Sequence, residues 1–151
     1  MMLVFRVALL ILTVASGQEI GVTRTEAVEF FAQYQKLGRD SDPKEADLYC
    51  ENGTIHMFRE DLAGNVKVLK GSAALFKKLI RESAAEAKQS GDYSEYSNVS
   101  YHDVEGNVRI DTTRYSVLRK YKSPEVLIIG KCETGELGIL EMTVHSKEGP
   151  K

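Results

Sequence analysis

At Asn52-Gly53 the hydrophobic period of the chain changes, and a chain with two periods cannot fold as a pure helical bundle or a pure sheet. Before that point Ala27, Phe30, Phe31 and Tyr34 recur at the i, i+3, i+4, i+7 spacing of one buried helical face. Thr23 and Glu26 form a T-x-x-E capping box at its start, and Gly38 after Leu37 is the expected stop. Asp42 can cap a short helix with Pro43 at its first position, running to about Tyr49. Beyond Gly53 the period is two: Ile55 and Met57 alternate with His56 and Phe58, "EDLAGN" reads as a turn and "VKVLK" as a partner strand. Gly71-Ser72 opens a second long helix with Leu75, Phe76, Leu79 and Ile80 on one face and Gly91 beyond its end. The rest reads as strands, "NVSYHDV", "VRIDTTRYSVLRKY", "VLIIGKCE" and "ELGILEMTVHSK", parted by Glu105-Gly106-Asn107, "KSPE" and Thr134-Gly135. Short turns predict antiparallel neighbours. The fold class is therefore α+β.

The first residues belong to a different problem. Arg6, the apolar run Val7 to Val14 and the small residues Ala15, Ser16 and Gly17 have the form of a secretory signal, with the mature chain beginning near Gln18. A bilayer span needs about 20 apolar residues, and this run is too short and is interrupted; a retained anchor is the alternative. Residues 1–17 are thus expected to be a signal peptide and residues 18–151 a single domain, a length that suits one core. The formal net charge is −2, one unit more negative without Arg6, and no basic run stands out. Nucleic acid is not an expected partner, and no second segment is long enough for a membrane. The destination read from these features is secretion to the extracellular space.

In an oxidising compartment the pair Cys50 and Cys132 predicts a disulfide, worth at most about 4.5 kcal/mol by loop entropy. Two separate buried thiols are the alternative. Neither the cysteines nor the three histidines have zinc spacing, so no metal or cofactor is expected. Two sequons, Asn52-Gly53-Thr54 and Asn98-Val99-Ser100, predict glycans. Asn52-Gly53 also suits a turn between helix and strand, which would place Asn52 in solvent and His56 inside the sheet.

The order long helix, short helix, hairpin, long helix, antiparallel strands resembles the NTF2-like superfamily, with its SnoaL-like and ketosteroid-isomerase-like members. "ADLYCENGTIHMF" is similar to the family's passage from short helix into first strand, and "VLKGSAALFKKLI" to its strand, glycine and helix; the resemblance covers about residues 22 to 147. It implies a cone: a strongly curved antiparallel sheet packed on two long helices and one short one. The superfamily holds isomerases, dehydratases, cyclases and hydrolases as well as noncatalytic binding and dimerisation domains, so the resemblance carries a fold and not an activity. A cystatin inhibitor would need Q-x-V-x-G and a lipocalin an early G-x-W; neither is present.

Family enzymes work inside the cone with Asp, His and Tyr as bases or as donors to a carbonyl or enolate. The pocket candidates here are Tyr34, on the apolar stripe of the first helix, and His56, whose face is not settled by its neighbours. Asp111 and Tyr115 join them if the strand bulges near Thr112 and Thr113, where the apolar parity shifts from Val108 and Ile110 to Tyr115 and Val117. His102 and His145 read as solvated. No full isomerase or dehydratase triad maps onto these positions. The reading is a secreted domain that binds a small apolar ligand in its cone or acts as a homodimeric interaction module. An isomerase or dehydratase working by proton transfer beside a carbonyl is the alternative.

Overall fold

The computed structural model describes residues 21–148. The expected signal peptide, residues 1–17, and its cleavage site before Gln18 lie outside them. Helix α1 (Arg24–Asp40) starts as the sequence dictates: the Thr23 side chain accepts from the Glu26 amide while the Glu26 carboxylate accepts from the Thr23 amide. It does not stop at Gly38. The helix continues to Asp40 and ends on Ser41 in the left-handed region, at φ 48°. Asp42 and Pro43 then open a 3-10 helix (Pro43–Leu48), with the Asp42 side chain accepting from the Lys44 amide.

Six strands follow: β1 (Tyr49–Glu60), β2 (Val66–Ser72), β3 (Ser94–Val104), β4 (Asn107–Ser116), β5 (Tyr121–Lys131) and β6 (Leu137–Lys147); helix α2 (Ala73–Ser90) lies between β2 and β3. They form one sheet in the order β2-β1-β6-β5-β4-β3. Four of its five pairings are antiparallel, and β1 runs parallel to β6. The wholly antiparallel sheet expected from the short turns, and the strong curvature implied by the resemblance, are thus corrected to a mixed, open sheet. The turn rule governs only strands joined by turns, and β1 and β6 are joined by most of the chain. Two sizeable helices and the 3-10 helix cover one face, as the α+β reading requires.

Three further local expectations change. "KSPE" is not a turn: residues 122–125 lie inside β5, and the chain reverses at residues 117–120 with Lys120 at φ 54°. Pro124 is tolerated in β5 because the pairing with β6 begins only at Glu125, so its missing amide breaks no rung on that side. Nor is Asn52-Gly53 a turn. Both residues sit in β1, where the register with β6 shifts between Tyr49 and Thr54. Gly53 is needed for room: a Cβ there would lie 3.0 Å from the carbonyl oxygens of Cys50 and Ile139. In α2 the expected apolar face is divided, with Phe76 and Ile80 packed on the core while Leu75 and Leu79 stand in solvent.

Cys50 and Cys132 are bridged, with their α-carbons 5.3 Å apart. The bond ties the start of β1 to the residue just past β5.

The core lies between the helices and the inner sheet face, and it changes character along the strands. On β4 the inward side chains run Val108, Ile110, Thr112, Arg114, Ser116; on β5 they run Ile129, Leu127, Glu125, Ser123. One end of the layer is filled by aliphatic groups that exclude solvent completely. The other end brings polar groups inward, and the candidate site is there.

Candidate functional site

At the polar end of the inner layer the packing leaves a cavity of about 240 Å³. Its wall has an apolar side, Met57, Phe76, Met142 and Val144, and a polar side made of Tyr34, Glu45, Tyr49, Ser94, Tyr96, Arg114, Glu125 and Ser146. Each element contributes through its own period. The i, i+3, i+4, i+7 stripe of α1 ends on Tyr34, and the alternation of β5 that carries Leu127 and Ile129 inward also carries Glu125 inward.

Glu125 is the centre of the polar side and is 1% exposed. Tyr34 donates its phenolic proton to Glu125 Oε1 at 2.9 Å, and Tyr96 donates in turn to Tyr34 at 3.4 Å. The other carboxylate oxygen, Oε2, faces Arg114 Nε at 3.6 Å, beyond hydrogen-bond distance, and both atoms are enclosed without a hydrogen-bond partner among the described residues. Arg114 directs three of its other four donors to Ser94 Oγ, the Tyr121 hydroxyl and the His145 carbonyl. Burial pushes the Glu125 carboxyl up to about 7 against the opposing pull of Arg114 and the Tyr34 hydrogen bond. Glu45, on the 3-10 helix, is also pushed up to about 7, by burial first and by Glu125 second. Burial, then the neighbouring carboxylates, raises the Tyr34, Tyr49 and Tyr96 phenols well above their ordinary value, so they act as proton donors in hydrogen bonds.

A second space of about 200 Å³ shares Glu45, Ser94, Tyr96 and Arg114 with this cavity and continues past Ser41, Asp42, Ala84 and Tyr93. It leads to a surface groove between the end of α1 and the end of α2, lined by Arg39, Arg81 and Lys88 among others. Glu45 therefore stands where the neck meets the interior.

Of the residues singled out in the sequence, Tyr34 lines the cavity and the other three do not. His56 lies on the outer sheet face, its Nε2 3.4 Å from Glu141 Oε1, because Ile55 and Met57 take the inward positions of β1. Asp111 is on the outer face of β4, held by Arg109 through two bonds of 2.7 and 2.8 Å, which keeps its carboxyl below the usual range. Tyr115 shares that outward parity. The bulge expected near Thr112 is absent from β4, whose pairing with β5 is continuous; it occurs in β3, between Ser97 and Ser100. There Asn98 adopts φ 52°, so Asn98 and His102 are no longer related by simple parity. His102 contacts Ser100 Oγ and Asp111 on the outer face, and His145 stacks on Phe58. Asn52 and Asn98 are both exposed, and the Asn52 amide donates to Glu133.

Glu45, Tyr49, Tyr96, Arg114 and Glu125 were not among the sequence candidates. The signal for Glu125 is its phase, two and four residues before Leu127 and Ile129, and reading a turn at "KSPE" removes it from the strand. Arg114 likewise follows Val108, Ile110 and Thr112 on the inward parity. Among the described residues no group of three or more His, Cys, Asp or Glu side chains is placed to hold a metal ion.

No family model matches the sequence, and no curated protein does. Solved structures do match. An NTF2-like protein of unknown function from Pseudomonas putida KT2440 superposes over 79% of this chain and 82% of that one, with a TM-score of 0.54 at 9% identity. A protein with a cystatin-like fold from Methylobium petroleophilum PM1 covers 82% of this chain and 76% of its own, with a TM-score of 0.53 at 11% identity. For an NTF2-like protein with a cystatin-like fold from Novosphingobium aromaticivorans the shares are 81% and 80%, with a TM-score of 0.50 at 14% identity. At such identities the likeness is one of fold: the chain has the NTF2-like, cystatin-like fold.

Proposed function

We propose that the protein is a secreted binder of a small ligand with a largely apolar body, held in the cavity between sheet and helices. The observation that carries this reading is the open volume of about 240 Å³ in the same inner layer whose other half is completely filled. It lies just under the roughly 300–1,000 Å³ of drug-sized pockets, which favours a compact guest. Met57, Phe76, Met142 and Val144 supply contact area, and the Tyr34–Glu125–Arg114 group fixes orientation. Native mass spectrometry of the purified protein tests this. A retained small molecule is expected, lost on Val144→Phe while unfolding stays cooperative. A wild-type protein that carries nothing and takes up no small probe refutes it.

Glu125 favours a second reading. A carboxyl near 7, buried and next to a phenol donor, suits proton transfer beside a carbonyl, as in an isomerase or dehydratase. Deuterium uptake beside the carbonyl of a small cyclic ketone in heavy water should then be faster with the protein and lose that gain in Glu125→Gln. Equal rates with and without protein exclude it.

Secretion of a single mature domain from about residue 18 is supported by the Cys50–Cys132 bond. Glycosylation is supported by the exposure of both sequon asparagines. Conversion of Asn52 and Asn98 to labelled aspartate by glycosidase in heavy-oxygen water is the expected result. A homodimer through the outer sheet face is supported by Val66 and Val68, exposed beside the stacked Phe58 and His145. Sedimentation of wild type against Val68→Glu decides it, with dimer in the first and monomer in the second.

A further inference from the structure

We infer that the ligand of this cavity is a small amine, whose ammonium group rests against Glu45 and whose apolar body lies against Met57, Phe76 and Met142. The inference rests on the binding reading above and names the ligand's class.

The charge of the site is its first support. The groups that face Glu45 around the cavity are Tyr34 from α1, Tyr49 from β1, Tyr96 from β3, Arg114 from β4 and Glu125 from β5; the neck adds Asp42, Asp92 and Tyr93. With both glutamates ionised, one guanidinium stands against two carboxylates, and Arg114 has already given its terminal nitrogens to Ser94, Tyr121 and His145. A neutral guest leaves the surplus negative charge in place, and an anion enlarges it. A monocation cancels it, and in a partly desolvated space that difference counts for more than at the surface.

The second support is what is left without a partner. The Glu45 carboxylate makes no hydrogen bond or ion pair among the described residues, and only burial and Glu125 act on it. Glu125, buried and lining the same space, keeps Oε2 without a hydrogen bond among the described residues, with the Arg114 Nε opposite it at 3.6 Å. When ionised, both carboxylates accept and neither can donate, so above about pH 7 the group that satisfies them must bring protons. Lining the same wall, Tyr49 and Phe76 meet edge to face with ring centroids 5.3 Å apart, beside the Tyr96 ring. Aromatic faces beside a carboxylate are the surroundings an alkylammonium prefers. The position of Glu45 at the junction of neck and cavity makes it the first carboxylate such a guest meets.

Titration calorimetry of the full mature chain with 2-phenylethylamine and its neutral counterpart 2-phenylethanol tests the inference. At about pH 8 the amine should bind about tenfold or more tightly than the alcohol, the worth of one charged hydrogen bond. At about pH 5.5 the advantage should vanish, because the amine stays cationic while Glu45 takes up its proton. Glu45→Gln should bring the amine down to the affinity of the alcohol. If the alcohol binds as tightly as the amine at the higher pH, the ligand is not an amine and the cavity reading stands. If neither binds, the cavity reading falls with it.

Discussion

Glu125 carries a carboxyl that the folded protein holds at about 7 and the unfolded chain near 4.5. Between those values the folded state binds more protons than the unfolded one. The stability linked to this group is therefore full below about 4.5 and is lost as the pH rises through about 7, a change of about 3 kcal/mol. Glu45 adds to the loss in the same direction. The melting temperature should fall from about pH 5 to about pH 8 and then level off, and Glu125→Gln should flatten about half of that slope or more and exceed wild type at the upper end. A wild-type melting temperature that rises over this interval contradicts the assignment. Gly138 makes a different demand. A Cβ there would run into Cys132 Sγ and come within 2.7 Å of Cys50 Sγ, so Gly138→Ala should cost about 1–3 kcal/mol by overpacking. Urea melts of the two proteins, compared with and without reductant, should show the cost shrinking once the bridge is opened.

At the scale of elements, the β4–β5 reversal holds Lys120 in the left-handed region without the help of a glycine. Lys120→Gly relieves it and should raise stability by about 0.5–1 kcal/mol in thermal denaturation. The same reversal explains what the sequence made legible. Elements announced by local chemistry were readable: the capping box of α1, the Asp42-Pro43 start of the 3-10 helix, the Asp61 turn with Gly64 at φ 84°, and the Ser72 and Gly91 ends of α2. Elements decided by distant partners were not. The 117–120 turn has no glycine or proline to mark it, whereas Pro124 marks a turn that does not exist, because only the sheet shows that its amide has no β6 partner. The site suffered most from this. Moving the start of β5 back to Tyr121 restores Glu125 to the inward face, and with it the acid that Tyr34 addresses. The faces of His56 and Asp111 were not legible for a related reason: a polar residue beside apolar neighbours in a strand looks the same from either face until the partner strands are known.

For the whole molecule, the disulfide closes a loop spanning 82 positions. Replacing both cysteines by serine should cost about 2–4 kcal/mol, seen as a lower urea midpoint that reductant no longer shifts. Wild type in reductant should fall to the same midpoint. Among the described residues the two margins of the sheet, β2 and β3, are unlike each other. On β2, Val66, Val68 and Leu69 stand exposed along a regular strand. On β3, the irregularity at Ser97–Ser100 turns the backbone through Asn98 and breaks the even row of amides and carbonyls that an added strand would need. A sheet that accepts a new strand on one margin and refuses it on the other cannot polymerise by edge addition. Edge addition through β2 would leave only refusing margins outward, so the growth that makes fibres would end at the first step.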